Sequence, residues 1–474
     1  MRANAAKPSR QEHSVVELRS NSLSFPATLA QSIANIAPTV TPAMALPLVV
    51  ANAKSGTWLV YLLATVGLIF VGLNVSVFAR RLASAGSLYT YVGQSLGNTA
   101  AFLSGWGMLV AYLFTGMATL IGFSIFGQQL LIQAGLHVPT VVLEAIGAAF
   151  IGYLAYRDIR LSSLLAMGLE LVSVSLIAVF GTVVFVKTGM HIDLAQLTLK
   201  GVGPSGLQAA MVLAVFSFVG FESAATLGKE ARNPFRAIPR AVLISTLAVG
   251  LFFAAMAYVE VMSFPGGVTA LSTSASPLTT LADKFHAGVF GWLINTGATL
   301  SFFSCSLASV NAASRVKFAM SRDQIFHTAL SRVHASNRTP HIAVVLSALL
   351  NFAVPAVLSG MNPMDVYGYL GTIATYGFLL VYILISIASS VYMARHKLLR
   401  TKHVVLSIGG VAFMALPLVG SFYPVPLAPY NWLPYAFIAY LVAGGIWYRR
   451  TLKKKPEGYS ALMDFNLNEE IAVD

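Results

Sequence analysis

Long apolar stretches separated by short polar segments recur along the chain from Phe25 onward. They are apolar throughout and long enough to supply the roughly 20 residues that an α-helix needs to cross a bilayer. A transmembrane β-strand would instead alternate apolar and polar residues over roughly ten positions, so a β-barrel does not fit. We expect twelve membrane-spanning helices, at residues 26–51, 57–79, 99–132, 138–156, 161–187, 205–228, 239–262, 286–313, 340–359, 364–393, 403–422 and 431–449.

The positions of Lys and Arg predict which polar segments face the cytosol, because cytoplasmic loops of membrane proteins are enriched in these residues. With the N-terminus inside, only Lys54, Lys187, Lys200 and Lys284 of the 30 Lys and Arg residues would lie outside. We therefore expect both termini to be cytoplasmic, in a multi-pass protein of a plasma membrane or a bacterial inner membrane. Residues 1–22 and 451–474 are interpreted as cytosolic tails, since the first has no apolar core followed by a cleavage site.

Composition excludes several classes of protein. The chain is 57% hydrophobic and 10% charged, against about 25% charged residues in soluble domains. Cys305 is the single cysteine, which excludes an internal disulfide and a multi-cysteine metal site. The net charge of +13 follows from the basic cytoplasmic loops, so we expect no nucleic-acid partner. No two-histidine helix motif and no phosphate-binding glycine loop are found, so we expect neither an enzyme nor direct use of ATP.

Two prolines interrupt the first predicted span. Pro38 and Pro42 each remove a backbone donor and clash with a preceding carbonyl, so the helix should open or kink near Thr39 to Thr41. Lipid cannot satisfy the freed carbonyls, which must face protein, a cavity or an ion. A kink that serves packing alone is the alternative interpretation.

The sixth predicted span has a glycine and an acid near its middle. Gly220 is flanked by Phe216, Phe218 and Phe221, and Glu222 follows two residues after the glycine. Close helix packing would also explain Gly220, and contact with lipid or the core would explain the phenylalanines. An ionisable group at membrane depth is costly and usually faces a partner or a wet cavity, which favours a functional role for Glu222.

The two interrupted spans hold matching places in two halves of five helices each. This arrangement is typical of transporters built from inverted repeats, with the binding site between the repeats. We predict repeat 1 at residues 23–201, repeat 2 at residues 202–400, and helices 11 and 12 at residues 401–450. The amide ends of broken helices suit a carboxylate, and their carbonyl ends suit a cation or an ammonium group.

Other buried polar residues permit two interpretations each. Glu144 lies in the fourth span and Glu170 in the fifth, where each acid could pair within the bundle or belong to a proton route. Ser301 and Ser304 lie on the eighth span. Their hydroxyls either bond back to helix carbonyls or serve as oxygen ligands for sodium or substrate.

Several segments together resemble the amino acid–polyamine–organocation (APC) superfamily. The stretch Phe216–Ser223 and the loop Gly228–Arg240 are similar to the sixth helix of that superfamily and the loop after it. Ser314–Gln324, Thr339-Pro340-His341 and Tyr369–Thr375 resemble later segments. The likeness extends from about the first span to the twelfth and rests on the combination of these pieces.

The resemblance implies an all-α membrane fold of five-plus-five inverted repeats, in which helices 1 and 6 unwind at mid-membrane around the substrate. It matches Phe216 to an aromatic residue that closes over substrate, and Glu222 to an acid tied to coupling or gating. The sequence departs from the family at Val40-Thr41-Pro42, where many members have a Gly-small-Gly run whose amides bind the substrate carboxylate. Pro42 has no N–H to offer, so carboxylate recognition there is weakened.

Some proton-coupled members of the superfamily carry a lysine in the fifth helix. Here the ionisable residue of that helix is Glu170, so this mode of proton coupling does not transfer.

From these features we predict a secondary active transporter that moves a small neutral amino acid by alternating access, driven by a proton or sodium gradient or by exchange. The expected partners are the substrate and the lipid bilayer, with no cofactor, catalytic residue or resident metal. The predicted substrate-binding residues are Thr39, Val40, Thr41, Phe216, Ser217, Phe218 and Gly220. Phe216, Glu222 and Glu170 are predicted to gate or couple transport, and Ser301 and Ser304 are candidate cation ligands.

The main alternative is an amine or polyamine transporter, which would fit the weakened carboxylate site but would need a buried acid facing the pocket. A channel would need a continuous polar pore, and no ring-forming filter motif is seen. A membrane-embedded enzyme would need a nucleophile or a metal set, which the histidine and cysteine positions do not supply.

Overall fold

The computed structural model describes residues 18–157, 159–199, 201–423 and 425–454, without the side chains of Arg160, Leu161 and Lys454. Most of the two predicted tails, 1–22 and 451–474, therefore lies outside the described residues, as does Lys200. The described residues are helical apart from loops and one isolated parallel bridge between Leu23 and Ala231.

The helices follow one another along the chain with short connections. The α-helices are α1 (Phe25–Ile36), α2 (Leu46–Ala53), α3 (Thr57–Ala79), α4 (Leu88–Leu96), α5 (Asn98–Gln133), α6 (Thr140–Arg157), α7 (Ile159–Lys187), α8 (Leu194–Leu197), α9 (Pro204–Phe216), α10 (Pro234–Ser263), α11 (Gly267–Ser272), α12 (Pro277–Lys284), α13 (Gly288–Arg322), α14 (His341–Val357), α15 (Pro363–Arg395), α16 (Thr401–Gly420) and α17 (Leu433–Lys454). A π-helical segment spans Thr41–Ala45, and 3₁₀ segments span Lys54–Gly56, Ser223–Leu227, Thr328–Ser331 and Tyr430–Trp432.

Within the described residues, eight helical stretches are long and apolar enough to cross a membrane. One of them, Phe25–Ala79, is 55 residues long and contains both the first and the second predicted span. The sixth and ninth predicted spans fall on α9 and α14, which are apolar but shorter. An all-helical, multi-pass membrane architecture is confirmed, whereas the number of twelve spans stays a prediction.

The centre of the bundle is built on α5, which packs against both α13 and α15. Small residues allow the backbones to approach closely, as is usual where helices pack without a hydrophobic driving force. A Cβ atom at Gly377 of α15 would lie 2.6 Å from the carbonyl oxygen of Gly107 in α5. These two glycines therefore set the spacing between the helices.

The chain departs from regular α-helix at both places where helix breakers occur. Helix α1 ends at Ile36, Ala37 adopts a left-handed conformation with φ 51°, and the π-helical segment Thr41–Ala45 follows. Helix α9 ends at Phe216, and irregular turns continue until the 3₁₀ segment Ser223–Leu227. Pro38 and Pro42 lack the amide hydrogens that would continue the first helix.

Hydroxyl groups satisfy the backbone across the two breaks. Ser32 Oγ of α1 donates to the carbonyl of Phe221 at 2.6 Å. In return, Ser223 Oγ donates to the carbonyl of Gln31 at 3.1 Å. Buried backbone groups must find such partners where water and lipid cannot supply them. The two broken segments are therefore held to each other directly.

Asn35 connects the first break to α13 and to the second break. Its carbonyl accepts the Cys305 thiol at 3.1 Å, and its Oδ1 accepts the Ser309 hydroxyl at 2.7 Å. Gly220, at φ 88°, lies so close that a Cβ atom there would overlap the Asn35 amide. The glycine is required both for its backbone conformation and for this contact.

A buried ion pair fastens the loop after the second break to α13. Arg315 Nε lies 2.7 Å from Glu230 Oε2 and Arg315 Nη2 lies 2.9 Å from Oε1, with both side chains 1% exposed. The carbonyl of Glu230 also accepts the amides of Ser22 and Leu23 at 2.9 and 3.0 Å. The segment before α1, the loop and α13 are thus joined at one residue.

We expect Gly220→Ala to lower the free energy of unfolding by about 1–3 kcal/mol, because alanine is strained at this φ and its methyl group would displace Asn35. Thermal unfolding of the purified protein in detergent measures the loss. Gly445→Ala is the matched control, since a Cβ atom there meets nothing within 4 Å. Equal melting temperatures for the two variants would contradict this role of Gly220.

We expect Glu230→Met and Arg315→Met each to cost about 3–5 kcal/mol, because each single change leaves a buried charge without its partner. The double variant should be more stable than either single variant, since it removes both charges at once. Thermal unfolding of all three variants tests this order. A double variant with the summed loss of the two single variants would show that the ion pair is not the source of the effect.

Candidate functional site

A small buried cavity lies where the two helix breaks meet. Its volume is about 20 Å³, which is room for about one water molecule. Its walls come from both breaks and from α5, α13 and α15. The lining residues are Asn35, Ile36, Ala37, Val40, Thr41, Ala45, Thr115, Thr119, Phe216, Ser217, Val219, Cys305 and Tyr367. A larger ligand can enter only if these walls separate.

Four of the seven residues predicted to bind substrate line this cavity: Val40, Thr41, Phe216 and Ser217. The other three, Thr39, Phe218 and Gly220, are buried beside it but are not part of its lining. Their positions follow from the turns after each break, whose geometry decides which side chains face inward.

Phe218 packs away from the cavity in an aromatic cluster. Its ring centroid lies 5.0 Å from that of Phe253 and 6.4 Å from that of Tyr61. Rings at these separations favour edge-to-face contact. The cluster ties the second break to α10 and α3, so Phe218 supports the site from behind.

Phe216 forms one wall of the cavity together with Tyr367 of α15. The two ring centroids are 5.9 Å apart at an interplanar angle of 64°. Gly371 makes room for the phenylalanine, because a Cβ atom there would meet the Phe216 ring. The Tyr367 ring in turn packs edge-on against Phe302 of α13 at 6.0 Å. This wall is apolar and aromatic.

Two fully buried side-chain donors of the cavity lining have no partner among the described residues. Asn35 Nδ2 and Thr115 Oγ1 are buried, line the cavity and make no hydrogen bond. A buried unsatisfied donor costs about 1–3 kcal/mol, which a ligand that accepts a hydrogen bond would recover. Sequence reasoning missed both residues, although the position of Asn35 beside the proline-rich stretch was an available signal.

Two backbone amides near Pro42 are engaged within the break. The Val40 amide donates to the Ala37 carbonyl at 3.0 Å, and the Ala43 amide donates to the Thr39 carbonyl at 3.2 Å. Pro42 itself has no N–H. This part of the break therefore offers fewer amides to a carboxylate than a Gly-small-Gly run would.

Glu222 is the last residue of the second break and joins it to two further helices. Tyr112 of α5 donates to its Oε1 at 2.7 Å, and Tyr382 of α15 donates to its Oε2 at 2.6 Å. All three side chains are buried. Charge-assisted hydrogen bonds from hydroxyls are short and strong, so the acid holds α5, α15 and the second break together. The tyrosines were not identified from the sequence.

Glu170 and the two candidate cation ligands form one cluster. Ser301 Oγ donates to Glu170 Oε2 at 3.0 Å, and Ser304 Oγ donates to Oε1 at 2.7 Å. The hydroxyls point their hydrogens at the carboxylate, and the cluster joins α7 to α13. Glu144 is held similarly on one oxygen, by Ser124 at 3.0 Å.

One acid of the described chain escaped sequence reasoning. Glu260 lies in the last turn of α10, is fully buried, and has no hydrogen-bond partner on either carboxylate oxygen. It belongs to the seventh predicted span, in which it is the single acid. No group of three or more metal-ligating side chains is found in the part of the chain that the structure describes.

Comparison with known proteins finds a family match and several related transporters. The family model for amino acid permeases matches residues 28–455. Branched-chain amino acid permease BcaP of Bacillus subtilis is 26% identical over 356 residues, which cover 71% of this chain and 73% of BcaP. The low-affinity putrescine importer PlaP of Escherichia coli K12 is 28% identical over 297 residues, covering 60% of this chain and 64% of PlaP. Cationic amino acid transporter 4 of Mus musculus is 26% identical over 350 residues, covering 69% of this chain and 53% of that protein.

The match extends over nearly the whole chain, and the relatives are transporters and not enzymes. The resemblance to the APC superfamily is therefore confirmed, and the helix breaks, the cavity and the buried acids are parts of a transporter. The chain belongs to the amino acid permease family.

Proposed function

We propose that this protein is a secondary active transporter that moves a small neutral amino acid through the cavity between the two helix breaks by alternating access. The observation that carries the substrate class is the charge of the lining. None of the residues that line the cavity is acidic, basic or a histidine. A site of this kind suits a ligand without a charged side chain, whose polar groups meet a few placed donors.

Different parts of the cavity wall contact different parts of the proposed substrate. Phe216 and Tyr367 offer an aromatic surface to an aliphatic side chain. Asn35 Nδ2 and Thr115 Oγ1, which have no partner among the described residues, offer donors to the carboxylate of the substrate, next to a break in which Pro42 has no N–H to supply. The likeness to BcaP, a branched-chain amino acid permease, supports an apolar substrate side chain.

An amine transporter is the second candidate, supported by the likeness to the putrescine importer PlaP. An amine needs an acid that faces the cavity. Glu222 and Glu170 are each engaged by two hydroxyl donors and do not line the cavity. The geometry therefore favours the neutral amino acid.

The small volume of the cavity corresponds to a closed conformer in the proposed alternating-access cycle. With room for about one water molecule, the walls are closed around the site. In the proposed orientation of twelve spans with both termini inside, the Arg315–Glu230 ion pair and the Glu222–tyrosine contacts lie on the cytoplasmic side. These contacts would have to separate before substrate is released inward. An ion gradient or exchange would supply the driving force.

Ligand-induced thermal stabilisation tests the substrate class, because a ligand that binds only the folded state raises its stability by mass action. We expect leucine, isoleucine or valine to raise the melting temperature of the purified protein, and putrescine to leave it unchanged. Thr115→Val should weaken amino acid binding about tenfold, the equivalent of one hydrogen bond of roughly 1.4 kcal/mol.

Thr372→Val is the matched control for that variant. Thr372 is also buried, but its hydroxyl bonds back to the Gly368 carbonyl at 2.8 Å and lies outside the cavity lining. Stabilisation by putrescine alone would overturn the neutral substrate and favour the amine. Equal binding by both threonine variants would remove Thr115 from the site.

The proposed orientation predicts which loops an impermeant reagent reaches. In a Cys305→Ala background, Leu427→Cys should react with a membrane-impermeant maleimide in right-side-out vesicles, whereas Lys397→Cys should react only after permeabilisation. Both positions are exposed. Lys397 precedes α16 and Leu427 follows it, so the two residues lie at opposite ends of this helix. Labelling of both in sealed vesicles would contradict this topology.

A further inference from the structure

Glu260 is a buried acid that the transport site does not use. It lies in the last turn of α10 and is 0% exposed, and neither carboxylate oxygen has a hydrogen-bond partner. Ser263, one turn further, is also buried with an unpartnered hydroxyl. An ionised carboxylate in such surroundings would be strongly destabilising.

The other buried glutamates of the described chain each have a donor. Serine hydroxyls serve Glu144 and Glu170, tyrosine hydroxyls serve Glu222, and the Arg315 guanidinium serves Glu230. Glu260 alone among these five acids has none. The contrast shows that the surroundings of Glu260 compensate no negative charge, whereas those of the others do so at one or both oxygens.

The groups around Glu260 explain why no cation neutralises it. Lys284 of α12 directs its ammonium group to the carbonyl of Ser263 at 2.6 Å and forms no ion pair with Glu260. Tyr61 is the titratable side chain that α3 contributes, and it donates no hydrogen bond to the acid. Lys187 of α7 is held by the carbonyl of Phe285 at 2.8 Å.

The remaining elements packed against α10 add little charge. Helices α1 and α11, the π-helical segment Thr41–Ala45 and the 3₁₀ segment Ser223–Leu227 carry no acidic, basic, histidine, tyrosine or cysteine side chain. Asp283 of α12 is exposed, and Glu170 of α7 is engaged by its two serines. Asp193, beside α8, receives bonds from Ala195 and Gln196 at 3.0 Å.

Glu260 is covered by elements that also border the transport site. Helices α11 and α12 pack against α10 on one side, and against α2 and the segment Thr41–Ala45 on the other. Tyr61 belongs to α3, which packs against α10, and its hydroxyl lies 3.4 Å from Ser217 Oγ at the cavity wall. Opening of the proposed outer side moves this cover and lets water reach the carboxylate.

We propose that Glu260 is a proton-binding site of the transport cycle: it takes up one proton from the external solution when the outer side closes over substrate, and loses that proton when the cover opens. The proton passes between water and one carboxylate oxygen, so no other reactant is needed. This inference rests on the proposed function for the link to substrate, whereas the protonated acid in the closed conformer stands by itself.

Two measurements on the purified full-length protein test the proposal. In infrared spectra at neutral pH, the carbonyl stretch of a protonated carboxylic acid should be present in the wild type and reduced by one group in Glu260→Gln. Asp365→Asn is the control, because Asp365 is exposed and should contribute no such band. An unchanged band in Glu260→Gln would overturn the proposal without reference to any substrate.

The second measurement follows protons during ligand binding in weakly buffered detergent solution with a pH dye. Molecules that are open before leucine binds should each take up one proton on closing in the wild type, and Glu260→Gln should take up none while still binding leucine. Glu144→Gln, a buried acid on another helix, should behave as the wild type. Equal proton uptake by Glu260→Gln and wild type would overturn the link to closure.

The two arms separate the failure of this inference from that of the proposed function. If no amino acid stabilises the wild type while its infrared band is lost in Glu260→Gln, the substrate assignment fails and the protonated acid stands. If leucine binds but neither the band nor the proton uptake depends on Glu260, the acid has no such role. A melting temperature for Glu260→Gln near that of the wild type confirms that the variant is folded.

Discussion

The need to satisfy buried backbone groups at two helix breaks shapes this protein. A continuous helix satisfies its own amides and carbonyls, and a broken one does not. Here the two breaks use each other, through Ser32 and Ser223, and a third helix supplies Cys305 and Ser309 to Asn35. The hydrogen bonds that satisfy the backbone groups of the two breaks also hold the residues that line the cavity. The two broken segments and the cavity between them therefore depend on the same hydrogen bonds.

Buried acids in this protein differ in how their charge is compensated, and the differences follow from where each one lies. Glu230 has a guanidinium and ties a loop to α13. Glu222 and Glu170 have hydroxyls from neighbouring helices. Hydroxyl contacts are exchangeable with water once a path opens, whereas a buried ion pair is costly to break. Of the contacts that separate in the proposed cycle, the ion pair is therefore the costlier one to open.

The sequence was sufficient to predict features that depend on local backbone chemistry. Pro38 and Pro42 indicate the first break because proline removes a backbone hydrogen-bond donor wherever it occurs. Gly220 marked the second break, although the reason for glycine, its contact with Asn35, lies 185 residues away in the chain. The family resemblance rested on continuous segments that keep their order. These inferences did not require knowledge of which helices are neighbours.

Other features depend on neighbours that are distant in the chain and could not be predicted. Tyr112 and Glu222 are separated by 110 residues, and nothing near either residue indicates the other. Phe218 resembled its neighbour Phe216 in the sequence, but the turn after α9 directs it to Tyr61 and Phe253 instead of the cavity. The unusual surroundings of Glu260 likewise could not be read from the sequence. They are unusual because the carboxylate has no hydrogen-bond donor among the described residues.

The proposed choice between amino acid and amine rests on the charge of the cavity and not on the fold. Relatives named for both kinds of substrate share between 26% and 28% identity with this chain, so the common helices do not set the choice. An amine would require a carboxylate at the wall, and Glu222 and Glu170 are bound by hydroxyls on other helices. Freeing Glu222 would cost the contacts that hold the second break to α5 and α15, and freeing Glu170 would cost those that join α7 to α13. Under the proposed function, a change of substrate class in this scaffold would therefore require a new acid at the lining, for example at Thr115 or Ser217, and not the release of an existing one.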